Sequence, residues 1–223
     1  MSKLILTFFI FISFISNRTW ALDDDAQLWT QFYWQGPMAN SLRAYVEVQD
    51  RYSFSDYKKT EAVMIRPGIL YVLNPSLALG VGYLWAPILA PKYTSEDRYW
   101  QQVVYNHVFD SLTALFRLRF EQRDVKGTPE IAYRLRLQGR GQYDLKGDGD
   151  WWAVAWDEYF YNLNDSGSSI KDGFNQNRFF VGINHRIHPQ VRLEFGPMNI
   201  YVNRIGKEDR LMNGAILALF SSF

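Results

Sequence analysis

Three histidines, His107, His185 and His188, are the side chains best suited to moving protons near neutral pH. A histidine that activates a serine from within an extended strand must share its face, which asks for a spacing of two residues. The residue two beyond His107 is Phe109, the one two beyond His185 is Ile187, and His188 stands in a turn before Pro189. A serine from a neighbouring strand stays open as an alternative. His185 and His188 do not fall on one strand face, and no third ligand accompanies them. The run Lys146-Gly147-Asp148-Gly149-Asp150 has the start of a calcium loop but lacks its further oxygens and the glutamate at position twelve, so a Gly/Asp turn is expected. The chain has no cysteine and no glycine-rich phosphate loop. No metal and no cofactor are expected.

Arginine carries the stronger signal. Of 16 arginines, 13 fall in segments of alternating polarity, whereas Lys58, Lys59, Lys92, Lys126, Lys146, Lys171 and Lys207 lie in loops or at loop edges. A solvated face would take either cation. An enclosed polar face favours the planar guanidinium, which makes several directed bonds and is less strongly hydrated. These side chains cannot face lipid, where arginine costs about 2–4 kcal/mol at the midplane. The expected lining of an enclosed lumen is Arg43, Glu47, Arg51, Arg66, Arg98, Gln102, Arg117, Arg119, Glu121, Arg123, Arg134, Arg136, Glu158, Arg178, Arg192 and Glu194. Such a lining either passes small solutes, with a preference for anions because arginine outnumbers glutamate, or fills and braces a narrow interior.

The elements that must position these residues have a period of two. Leu112, Ala114, Phe116, Leu118 and Phe120 share one face, while Arg117, Arg119, Glu121 and Arg123 share the other; Ile131, Tyr133, Leu135 and Leu137 oppose Arg134, Arg136, Gln138 and Arg140. Eleven such segments are read at 26–36, 41–52, 60–73, 77–88, 96–107, 112–123, 130–141, 151–162, 176–187, 191–203 and 211–223. Most have the length that crosses a bilayer at a tilt. Asn74-Pro75-Ser76 and His188-Pro189-Gln190 are tight turns, whereas 86–95 and 164–175 read as long polar loops. That asymmetry is the pattern of outer-membrane barrels. Pro67 and Pro197 fall inside strands, and the adjacent Gly68 and Gly196 predict local bulges. Single-chain bacterial barrels have an even strand count with both termini on the periplasmic side. Parity therefore asks for ten or twelve strands and excludes eleven.

The N-terminus reads as a targeting segment. Lys3 precedes the apolar run 4–15, and Thr19-Trp20-Ala21 offers small residues for cleavage after Ala21. The expected organisation is a signal peptide at 1–21 and an antiparallel up-and-down transmembrane barrel of about 10–12 strands at 22–223. Aromatics reach 17%, which suits two membrane interfaces, and Trp85, Trp151, Tyr159, Tyr161 and Tyr201 fall near strand ends as girdle residues would. A net charge of +1 argues against nucleic acid as a partner. The final alternating strand ends on Phe223, resembling the C-terminal signature read by barrel-assembly machinery. Lipids of a Gram-negative outer membrane are the other expected partner.

The ordered series Glu96-x-Arg98-x-Trp100-Gln101-Gln102, 117–123 (RLRFEQR), 133–137 (YRLRL), 156–160 (WDEYF) and 175–178 (NQNR) resembles an uncharacterised family of bacterial outer-membrane β-barrels known only as a domain of unknown function. The resemblance spans nearly the whole mature chain. It implies a barrel and an outer-membrane location, and it implies no activity. The function expected is a narrow passive channel or a structural barrel with an Arg/Glu-lined lumen; the alternative is an enzyme that modifies phospholipid or lipid A.

Overall fold

The structure, a computed structural model, describes residues 26–54, 59–89, 92–167, 170–204 and 208–222. The expected signal peptide and Phe223 lie outside the described residues.

Among the described residues, eleven strands form one closed barrel: β1 (Ala26–Ala39), β2 (Leu42–Ser53), β3 (Lys59–Asn74), β4 (Leu77–Ile88), β5 (Thr94–Phe109), β6 (Leu112–Val125), β7 (Ala132–Asp144), β8 (Trp151–Asn162), β9 (Gly173–His188), β10 (Val191–Val202) and β11 (Arg210–Ser222). Successive strands pair antiparallel. The closing pair is different. β1 runs parallel to β11, in register from Ala26 opposite Asn213 to Gln35 opposite Ser222. The parity argument for ten or twelve strands is thereby overturned, since one parallel seam lets an odd count close. The start of β1 and the end of β11 consequently sit at opposite rims, not at one rim as an even barrel would place them.

Followed once around the ring, the paired registers return to β1 displaced by about 14 residues, the stagger a closed and strongly tilted sheet requires. The two rims differ. At one, the connections are 40–41, 75–76, 110–111, 145–150 and 189–190; at the other they are 54–58, 89–93, 126–131, 163–172 and 203–209. Ser76 N donates to Asn74 Oδ1 at 2.9 Å in the 75–76 turn, and Asp110 supplies the left-handed residue (φ 47°) of the 110–111 turn. Half of the 86–95 segment expected as a long loop is strand, because β4 runs on to Ile88 and β5 begins at Thr94.

Alternation sorts the faces. Outward residues form an exposed apolar belt that includes Ile65, Ile69, Leu79, Val81, Val103, Leu118, Leu137, Val181, Phe195 and Leu217. Exposed aromatics flank it, with Trp85, Tyr99, Tyr133 and Tyr161 toward the long-loop rim and Tyr71, Tyr105, Phe109 and Tyr143 toward the short-turn rim. Inward residues enclose two apolar clusters: Trp29, Trp152, Val154, Phe180, Met198, Ile200, Ile216 and Ala218 in one, and Met64, Leu84, Ala86 and Trp100 in the other.

The bulges expected at Pro67 and Pro197 are absent. Register is unbroken across both, and the shifts fall instead at Pro37/Ala39, Arg51/Tyr52, Val72/Asn74, Phe160/Tyr161 and Val191/Arg192. The neighbouring glycines have another use. Trp100 lies over Gly68 and Gly82, and Phe180 lies over Gly182, so the large rings occupy space that side chains at these positions would fill. Gly196 lets its strand approach the β9 backbone, where a Cβ would stand 2.2 Å from the Val181 carbonyl oxygen.

Candidate functional site: the arginine-rich lumen

Strand parity aims the lining arginines and glutamates into the barrel, while Gln101, Gln122, Asp157 and Asn177 take the outward parity. On β5 to β8 the inward charges meet as one continuous ion-pair network. Glu96 accepts from Arg98 (2.6 and 2.9 Å) and from Arg123 (2.5 and 3.2 Å). Glu121, fully buried, accepts from Arg134 (2.6 and 3.0 Å) and Arg136 (2.7 Å), with Arg98 at 3.9 Å. Arg136 passes on to Glu158 (2.8 and 3.0 Å), which also takes Arg117 at 2.8 Å. Each carboxylate thus bridges at least two guanidiniums from different strands, joining the neighbouring staves of the wall laterally.

Two further interior pairs among the described residues stand outside this network. Glu47 is bound by Arg66 from the adjacent strand and accepts the Tyr45 hydroxyl at 2.7 Å. Arg140 reaches from β7 to Glu194 on β10, and Asn184 donates to the same carboxylate at 3.2 Å. This second pair is a strut across the interior, because two strands separate its partners in the ring.

Arg51, Arg178, Arg119 and Arg192 have softer partners. Arg51 donates to Gln49 Oε1 at 3.1 and 3.0 Å and lies 3.8 Å over Trp29. Arg178 faces the other aromatic surroundings, 4.9 Å from Trp29 and 4.4 Å from Phe160, with Gln176 beside it. Arg119 donates to Gln102 at 3.0 and 2.7 Å and stands 4.8 Å over Trp100. Arg192 stacks 4.0 Å over Trp152, and Arg43 lies in the cavity wall. Among these described lining residues, arginines outnumber glutamates by twelve to five, in a chain whose net charge is only +1.

Their arrangement leaves a cavity of about 640 Å³ bordered by Arg43, Arg51, Arg66, Arg98, Arg117, Arg119, Arg136, Arg140, Arg178 and Arg192 and by Glu47, Glu158 and Glu194. Asn74, Pro75, Gln142 and Ser222 also line it, and these lie beside the short-turn rim. Toward the long-loop rim the interior is packed: Ser53, Glu96, Ala132 and Asn162 are 0%, 4%, 0% and 3% exposed. Glu121, Arg123 and Arg134 sit beyond the cavity, within that packed end. The lining expected from sequence lacks Arg140, although Arg140 stands on the polar face of its segment, and lacks the inward aromatics Trp29, Trp100 and Phe160. Arg140 shares the parity of Arg134 and Arg136, and Trp100 that of Arg98 and Gln102, so the same alternation could have found them.

The histidines lie apart from this interior network. His107 stacks on Tyr105 and meets Phe109 at a tilt, His185 stacks 3.8 Å from Trp151 with Nδ1 at 3.1 Å from the Asp150 carbonyl, and His188 Nδ1 accepts from Gln190 N at 3.3 Å. In the aspartate-rich turn, Asp144 accepts from the amides of Gly147 and Gly149, each at 2.9 Å, and Gly147 and Gly149 take positive φ. Asp150 is bound by Arg186. In the 163–172 loop, hydrogen bonds from Lys171 and from the Asp172 amide hold the Asp165 carboxyl below its ordinary range. That ion pair is present at neutral pH and is lost as pH falls through the lowered value. Among the described residues, no group of three metal-ligating side chains occurs.

An uncharacterised protein of Methylorubrum extorquens is 28% identical over 179 residues, 78% of each chain. Among solved structures, a loop-deletion form of OmpT, an outer membrane protein of Vibrio cholerae, aligns over 82% of this chain and 60% of that one, with 11% identity and a TM-score of 0.46. OmpT itself aligns over 81% and 64%, with 12% identity and a TM-score of 0.45. The family described as a protein of unknown function, DUF2490, matches residues 26–212, and the chain belongs to it.

Proposed function

We propose that this protein is an outer-membrane barrel with a braced lumen, closed at the long-loop end and open as a receptacle at the short-turn end, and that it is not a standing pore. The observation that carries the reading is the packing of Ser53, Glu96, Ala132 and Asn162 at the long-loop end, where a through-channel would have to expose them. The apolar belt with its aromatic margins supports membrane residence. Short turns on one rim and longer loops on the other support a periplasmic short-turn side. Export through a cleaved segment at 1–21 and assembly through the C-terminal strand ending at Phe223 complete the proposal. Membrane lipids are then its surrounding partner.

Planar-bilayer recording of refolded protein tests it. The wild-type barrel is expected to give no steady unitary conductance in potassium chloride at either polarity. Stable, reproducible steps would overturn the closed reading in favour of a narrow channel, for which the arginine surplus predicts anion preference.

A further inference from the structure

Bracing accounts for the network on β5 to β8, but it does not account for all of the interior charge. Arg119 is 1% exposed and has no carboxylate within 4.0 Å among the described residues, and its Nη1 finds no partner among the protein's own groups. Its strongest charged neighbours are three more guanidiniums, Arg117, Arg66 and Arg136. Among the described residues, Arg51 and Arg178 have no carboxylate within 4.0 Å and are bonded by glutamine amides and faced by aromatic rings. Glu47 attracts Arg51 and Glu158 attracts Arg178 from farther off, against the repulsion of several neighbouring arginines. The carboxylates that border the cavity, Glu47, Glu158 and Glu194, are all already bound by arginine. An uncompensated buried cation is costly, so a purely structural interior would match each one or replace it with an apolar side chain.

The surplus is not scattered. Arg51, Arg119 and Arg178 all border the cavity that opens at the short-turn rim, beside Arg117, which has to share Glu158 with Arg136. Arg51, Arg117 and Arg178 are partly exposed. A space of about 640 Å³ admits a compact solute, and guanidiniums on several sides fit an oxyanion with more than one charged oxygen. We infer that the cavity is a binding site for a small, water-soluble multivalent oxyanion of the phosphate class. The anion enters at the short-turn rim, is contacted by Arg51, Arg117 and Arg178, and is held in the field of Arg119 behind them. This rests on the receptacle reading above, and it names what the receptacle holds.

Calorimetric titration of the full refolded protein, in a non-ionic detergent at low ionic strength, tests the site with inorganic phosphate, pyrophosphate and chloride. Saturable binding is expected for pyrophosphate, weaker binding for phosphate, and none that saturates for chloride. Arg178→Gln is expected to weaken pyrophosphate at least tenfold while the folded band on an unheated gel is retained. Arg119→Gln separates the two roles of that residue: it is expected to raise the thermal midpoint in the absence of anion and to weaken binding. A bracing residue would instead lower the midpoint and leave binding unchanged. No saturable pyrophosphate heat, or undiminished binding in both variants, overturns the inference. A bilayer-silent barrel that binds no anion refutes this site alone, and a conducting barrel that binds pyrophosphate refutes only the closed reading.

Discussion

Replacing Glu121 by glutamine is expected to cost the barrel about 3–5 kcal/mol, the range for removing one partner of a buried charge pair. Glu121 is 0% exposed and is the one carboxylate bonded to both Arg134 and Arg136, with Arg98 at 3.9 Å. The amide keeps the shape but loses the charge, so Arg134 is left without a carboxylate at bonding distance, while Arg136 keeps Glu158. Urea unfolding followed by tryptophan fluorescence measures the loss. The double variant Glu121→Leu with Arg134→Leu is expected to recover part of it, because removing both partners avoids the orphaned cation. A midpoint within error of the wild type for Glu121→Gln would show that the network is not what holds β6 to β8 together.

The second large effect comes from a position with no side chain at all. A Cβ at Gly82 would lie 2.3 Å from Trp100 Cζ2 and 2.4 Å from the Pro67 carbonyl oxygen. The ring could shift, but the backbone oxygen belongs to the paired strand, and moving it breaks the β3–β4 register. Gly82→Val is therefore expected to cost about 3 kcal/mol, at the upper end of overpacking penalties. Gly139→Ala is the matched control. Its nearest heavy atom would be Phe116 at 3.9 Å, so it should be neutral or gain about 0.5 kcal/mol by stiffening the strand. The same urea titration reads both, and equal midpoints for Gly82→Val and Gly139→Ala would contradict the account of Trp100 packing.

Glu121 and Gly82 differ in how far the sequence reveals their surroundings. Alternation along 112–123 and 130–141 places Arg117, Arg119, Arg134 and Arg136 on the polar face of their strands, because period two leaves no third choice. The strand segments are equally plain, since most are longer than globular strands and begin and end within three residues of the observed bounds. The partner of each charge is not legible: Arg140 meets Glu194 across the lumen, and no local spacing encodes a contact 54 residues apart. Inward aromatics are hidden for a different reason. A barrel places tryptophan and phenylalanine on its outer margin as readily as inside, so Trp29 and Phe180 can be assigned only by parity with their polar neighbours.

Closure escapes sequence reasoning on physical grounds that the structure makes clear. Antiparallel hairpins announce themselves by short turns, and ten of the strand pairs follow from chain order. The eleventh pair joins the two ends of the sheet and has no turn to mark it. The parity rule assumes an antiparallel seam, whereas this one is parallel, with Leu28 opposite Ala215 and Phe32 opposite Leu219. The glycines beside Pro67 and Pro197 mislead for a similar reason. Sequence shows that a side chain is missing there, but not that the Trp100 ring uses the space at Gly68 and the β9 backbone the space at Gly196.

The central claim is that the lumen opens at one end only, and thiol accessibility tests it most directly because the native chain has no cysteine. Asn106→Cys places a thiol in the cavity wall near the short-turn rim, and Ser53→Cys makes a near-isosteric change in the packed end, where Ser53 is 0% exposed. Each variant, folded in detergent, is given a charged impermeant maleimide. The thiol of Asn106→Cys is expected to label within minutes, while that of Ser53→Cys stays protected until the barrel is unfolded in urea. Labelling of both variants at comparable rates in the folded state would mean a lumen open from rim to rim and would contradict the account.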